Sequence, residues 1–141
     1  MPYTMGWYIK NEVLFAQCGV SLSVEEAHNL LMDVNANTAQ SNHPAVHAIF
    51  DLSKIEKPLG LLETAQALRG ATAHPRVGWM VTVGEQDKLV KFSSTVARQL
   101  LRARQRSFLT IEEAIAFLKD IDSTIDWSQA DDSVLDRPED Q

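Results

Sequence analysis

Val46-His47-Ala48-Ile49-Phe50-Asp51-Leu52-Ser53 is the stretch whose reading decides the fold. It is a short apolar run with β-branched and aromatic members that ends in a carboxylate and a hydroxyl. Pro44 stands just before it and the loop Lys54–Pro58 follows, and these breaks favour a strand over a buried helix segment. A second run of the same character, Val77-Gly78-Trp79-Met80-Val81-Thr82-Val83, lies one helix further along. Two such runs with a helix between them are the mark of a parallel sheet covered on both faces.

Working outward, Trp7–Lys10 and Val13–Cys18 alternate around Asn11-Glu12 and read as a hairpin. Ser23-Val24-Glu25-Glu26 is a capping box that opens a helix with Ala27, Leu30, Leu31 and Val34 inward. Past the first buried strand, a second helix is expected from Leu59 to Arg69, with Gly70 as terminator. After Gly84 a third helix runs from about Glu85 to Ala103. Leu89, Phe92, Val96, Leu100 and Ala103 share one of its faces, and Lys88, Lys91, Arg98 and Arg102 the opposite one. Arg106–Leu109 suits an edge strand, and Thr110-Ile111-Glu112-Glu113 is a second capping box. The order is ββαβαβαβα, an α/β chain whose topology is narrowed by right-handed crossovers. Phe50 and Trp79 are expected to be buried on central strands, with Leu100 facing them.

A chain of 141 residues, 45% hydrophobic and 23% charged, fits one globular domain. One cysteine, Cys18, excludes an intramolecular disulfide and a cysteine-rich zinc site. The amino terminus has neither a basic start nor an apolar signal core, and no apolar run is long enough to span a bilayer, so a cytoplasmic protein is expected. The net charge of −6 is unevenly placed: eight acids and one base, Arg137, follow Lys119. The expected division is a domain over 1–119 and an acidic C-terminal tail over 120–141. The tail carries apolar anchors at Ile125, Trp127, Val134 and Leu135, and it is expected to dock on the basic helix, in the same chain or in a partner copy.

No catalytic motif is visible. His43 and His47 are four apart, but Pro44 between them breaks any helix that would align them as metal ligands. Asp51, Ser53 and Gly84 sit at strand carboxyl ends, where ligands bind in open α/β sheets, and form the candidate ligand or partner site. The plainer reading makes Asp51 and Ser53 loop caps. Ser53 has no histidine at a readable spacing to activate it and no glycine-rich phosphate loop follows. The single-sign face of Lys88, Lys91, Arg98 and Arg102 is the candidate basic binding face; without interleaved stacking aromatics, nucleic acid is disfavoured. No cofactor and no metal site are expected.

The element order, the strand ending Asp51-Leu52-Ser53 and the segment Phe108–Leu118 resemble the STAS (SpoIIAA-like) domains over roughly residues 5–119. The resemblance implies a βα superhelical sheet and a non-enzymatic role in binding protein partners, with anti-sigma-factor antagonists as the best-known members. Phosphorylatable members carry an Asp-Ser-Ser-Gly-type segment at the start of the second helix; here Lys57-Pro58-Leu59-Gly60-Leu61 holds no hydroxyl. The expectation is a regulatory, signalling module without that switch, with a protein partner and a homodimer as one option. The alternative is a small-molecule or lipid carrier using the strand carboxyl ends, which a deep apolar pocket there would favour.

Overall fold

The computed structural model describes residues 2–84 and 104–135. Its centre is a five-stranded sheet in the order β1 (Tyr3–Ile9), β2 (Val13–Cys18), β3 (Val46–Asp51), β4 (Val77–Val83) and β5 (Arg104–Phe108). β1 and β2 are antiparallel, and every later neighbour is parallel. The hairpin turn closes through the Glu12 N–H to the Ile9 carbonyl at 2.9 Å. Asn11 takes φ +68° there, a conformation that asparagine tolerates better than most residues. The α/β order expected from the sequence is therefore present, and the helix expected over 85–103 lies outside the described residues.

Because consecutive strands are neighbours, right-handed crossovers put α1 (Val24–Gln40) and α2 (Leu61–Ala67) on one face. That face buries Leu14, Val46, Ala48 and Met80 of the sheet against Leu31 and Val34 of α1. α3 (Ile111–Ile121) covers the other face, setting Ala114 and Leu118 against Ile9, Val13, Ile49 and Val81. Both capping boxes read from the sequence begin helices. The Ser23 hydroxyl accepts the Glu26 N–H at 3.1 Å, and the Thr110 hydroxyl accepts the Glu113 N–H at 3.2 Å.

Three expectations need correction. α2 begins at Leu61, not Leu59: Gly60 is its N-cap, with the Gly60 N–H donating to Glu63 at 3.2 Å. β5 begins at Arg104, two residues early. Phe50 and Trp79 are half-buried, not buried. They lie on opposite faces of the sheet: Phe50 packs beside Leu30 on the α1 side, and Trp79 meets Phe117 of α3 edge-on at 5.0 Å.

Residues 120–135 pack on the α3 face of the sheet. α3 continues to Ile121, and two 3-10 turns, Trp127–Gln129 and Asp132–Val134, run back across its face of the sheet. Ile125 and Val134 are buried in the same cluster as Ile9 and Leu118, and Trp127 and Leu135 pack against it. Asp122, Asp126 and Asp131 each accept the N–H two residues on (Thr124, Ser128 and Ser133, at 2.9–3.2 Å). Three acids of the expected tail thus close turns, the usual use of aspartate before a Ser or Thr. The strap is fixed to β1, with the Asp131 N–H donating to the Tyr8 carbonyl at 2.8 Å and the Tyr8 hydroxyl to Asp132 at 3.0 Å. Burial first, then Asp132, pushes the Tyr8 phenol up to about 12.

Candidate functional site

The parallel register lines up Gln17, Asp51, Val83 and Phe108 across the carboxyl end of the sheet. The structure brings Asp51, Ser53 and Gly84 together there. The Asp51 carboxylate accepts the Ser53 N–H at 2.9 Å on one oxygen and the Gln17 amide at 3.3 Å on the other. Gly84 takes φ +78°, donates its N–H to the Phe108 carbonyl at 3.1 Å and lies against Ser53. A Cβ at Gly84 would come within 2.7 Å of the Ser53 Cβ, so only glycine fits. Asp51 here ends a strand and closes the next loop, as the plainer reading of the sequence has it.

Among the described residues no histidine stands beside Ser53, because each one is engaged elsewhere. His28 bonds the Ala67 carbonyl, His43 the Ala45 carbonyl and Glu12, His74 accepts the Arg76 N–H, and His47 is buried. Among the described residues no group of three His, Cys, Asp or Glu side chains could hold a metal ion, and no helix is long and apolar enough to cross a membrane. Lys88, Lys91, Arg98 and Arg102 lie outside the described residues. The basic run reaches β5, where Arg106 lies over Phe117 and Phe108 with its guanidinium carbon 5.0 and 5.5 Å from the ring centres.

The polar groups that sequence reasoning missed sit at the opposite end of the sheet. The imidazole of His47 accepts the Trp79 N–H at 2.9 Å on Nδ1, so Nε2 carries the proton and donates to Asp122 at 2.8 Å. This occurs at a bulge: Val46 pairs Val77 and Ala48 pairs Met80, so His47 faces both Gly78 and Trp79. Burial, the largest influence on Asp122, raises its pKa, but hydrogen bonds from Thr124 and His47 outweigh it and the net shift is downward. Nearby, Arg76 donates to the carbonyls of Thr38, Ala39, Ser41 and His43 at 2.6–3.1 Å, closing the carboxyl end of α1. That helix end has no base of its own, and this gap was the only sequence signal for Arg76.

Among the described residues the exposed large hydrophobics are Val20, Leu61, Leu62, Leu109 and Ile121, and only Leu61 and Leu62 are adjacent. Leu62 and Leu61 are 72% and 50% exposed at the start of α2. Val20, also exposed, accepts the Glu56 and Lys57 N–H groups in the loop that leads to them. Separately, a groove of about 420 Å³ runs between Pro2–Met5 and the Glu26, Asn29 and Asp33 side of α1.

No protein-family model matches the sequence, and no curated protein matches it. A solved structure does: an uncharacterized protein of the DUF3478 family, with a SpoIIAA-like fold, from Shewanella loihica PV-4. The TM-score is 0.56 at 16% identity, over 82% of this chain and 93% of that one. With its mixed five-stranded sheet and the helices on its two faces, the chain has the SpoIIAA-like, STAS-like α/β fold that the sequence resemblance implied.

Proposed function

We propose that this chain is a cytoplasmic, non-enzymatic regulatory module that works by binding a protein partner, in the manner of anti-sigma-factor antagonists but without a phospho-switch. The observation that carries the reading is the exposure of Leu61 and Leu62 on the first turn of α2. Two adjacent leucines at 50% and 72% exposure leave a block of apolar side chain in water. A partner that covered them would gain about 25 cal/mol for each Å² removed from water. At the neighbouring strand end the Asp51 carboxylate is already engaged by the Ser53 N–H and the Gln17 amide, which suits a contact surface better than a reacting site.

The absence of switching rests on Lys57–Leu61 and on Thr64. The segment has no hydroxyl, and the nearest one on the helix, Thr64, is buried and donates to the Gly60 carbonyl at 2.8 Å. A kinase would have to unwind the helix start to reach it. The test is parallel affinity purification from native cells of the wild-type chain and a Leu61→Ser/Leu62→Ser variant with an unchanged far-ultraviolet spectrum. A protein retained by the wild type and lost from the variant supports the reading. Identical recoveries, or phosphate on Thr64 or on the exposed Ser53 in the native protein, contradict it.

A further inference from the structure

We infer that the outer edge of β1, together with the acidic wall of α1, forms a docking groove for an extended basic peptide that adds to the sheet as a sixth strand. The inference concerns a different surface from the leucine pair and stands or falls independently of it.

β1 is an edge strand, and its backbone shows which groups face outward. The Gly19 N–H donates to the Pro2 carbonyl at 2.9 Å. The antiparallel alternation then turns Thr4 and Gly6 toward β2, and the N–H and C=O groups of Tyr3, Met5 and Trp7 away from it. Edges are normally blunted by charge, proline, a bulge or a covering segment. Here the devices are confined to the far end of the strand: a bulge lies between Trp7 and Ile9, and the 120–135 strap takes the Tyr8 carbonyl. From Tyr3 to Trp7 the strand has no charged residue, and among the described residues no hydrogen bond reaches its outer backbone. Five residues of free edge can pair with about five residues of an incoming strand.

The groove beside this edge sets the character of the peptide. Tyr3 and Met5 point to the α1 side of the sheet, so alternate residues of an added strand would point there too. They would meet Glu26 and Asp33. Glu26 accepts the Ser23 N–H on one oxygen and Asp33 accepts the Tyr3 hydroxyl on one of its own, and both carboxylate residues line the groove. Helix α1 contains three acids and no lysine or arginine, so the field there is of one sign. Lysine or arginine at positions i and i+2 of an extended segment matches both the hydrogen-bonding edge and the wall.

The experiment uses the full chain and fluorescein-labelled ten-residue peptides: alternating lysine–valine, alternating glutamate–valine, and a lysine–valine peptide interrupted by two prolines. Binding is followed by anisotropy at low and high salt, and the site by amide shifts of isotopically labelled protein. The lysine–valine peptide is expected to bind and to shift the Tyr3, Met5 and Trp7 amides, with at least tenfold weakening in Asp33→Lys. The glutamate and proline-interrupted peptides should bind at least tenfold more weakly. Met5→Pro removes an outward donor without touching the ladder to β2, and should also weaken binding. Equal binding of the proline-interrupted peptide would reduce the effect to net charge and overturn the inference. So would undiminished binding to Asp33→Lys, shifts that avoid β1, or sedimentation showing that a second copy occupies the edge in the wild type but not in Met5→Pro.

Discussion

Replacing Gly78 by Ala tests whether the His47 bulge holds the two halves of the sheet's lower end together. A Cβ built at Gly78 falls 2.6 Å from both Cε1 and Nδ1 of His47, which is inside contact distance, and the ring is only 3% exposed. The imidazole has to move, because the backbone of β4 is held in the ladder with β3 and β5. Overpacking of this kind costs about 1–3 kcal/mol. The displaced ring would also leave the Trp79 N–H without its acceptor, a further cost of about 1–3 kcal/mol. The lower unfolded-state entropy of alanine returns only about 0.4–1 kcal/mol, so a net loss of roughly 1–5 kcal/mol is expected. Urea unfolding followed by tryptophan fluorescence measures it, with the slope checked so that the midpoint shift reports stability. The double variant His47→Ala/Gly78→Ala isolates the cause. Once the ring is gone the added methyl has room, and Gly78→Ala should cost no more than about 0.5 kcal/mol in that background. Additive losses in the two variants would refute the account of the bulge.

Further predictions concern neighbouring groups. Asp122 has a lowered folded-state pKa, so its contribution to stability is present above its unfolded value of about 4 and is lost as pH falls through the folded value. Asp122→Asn should therefore flatten the dependence of unfolding free energy on pH below about 4, and an unchanged acid limb would count against the pairing with His47 and Thr124. Arg76→Lys cannot reach four carbonyls with one ammonium and should cost about 2–3 kcal/mol, read from the same urea curves. Cys18 is fully buried, and burial, with Asp51 adding, pushes its thiol up to about 12; at pH 8 an aromatic disulfide reagent should label it only on unfolding. Rapid labelling of the native chain would place β2 wrongly.

Local signals carried the fold. The two capping boxes, the Pro44 break before β3 and the two buried runs each have a mechanism that acts within a few residues, and each marked a real element. Long-range pairings left no such trace. His47 and Asp122 are 75 positions apart, and nothing at either position announces the other. The four anchors Ile125, Trp127, Val134 and Leu135 were recognisable as apolar, but where they pack depends on the twist of a sheet formed elsewhere. The docking expected from the charge pattern after Lys119 falls on a basic helix that lies outside the described residues, while the repeated Asp-x-Ser/Thr spacing at Asp122, Asp126 and Asp131 is a local signal and describes turns. At the carboxyl end, Asp51, Ser53 and Gly84 were identifiable as neighbours from strand position alone. The close fit of Gly84 against Ser53 required the register.

The central claim, that the surface at Leu61 and Leu62 meets a protein partner, is tested most directly by site-specific photo-crosslinking in native cells. A photoreactive phenylalanine analogue is placed at position 62, with a control at Asn42, which is exposed at the opposite end of the sheet. The account predicts one discrete adduct of a second protein from position 62, competed away by excess unlabelled wild-type chain, and none from position 42. No adduct at 62, or the same products from both positions, would contradict it.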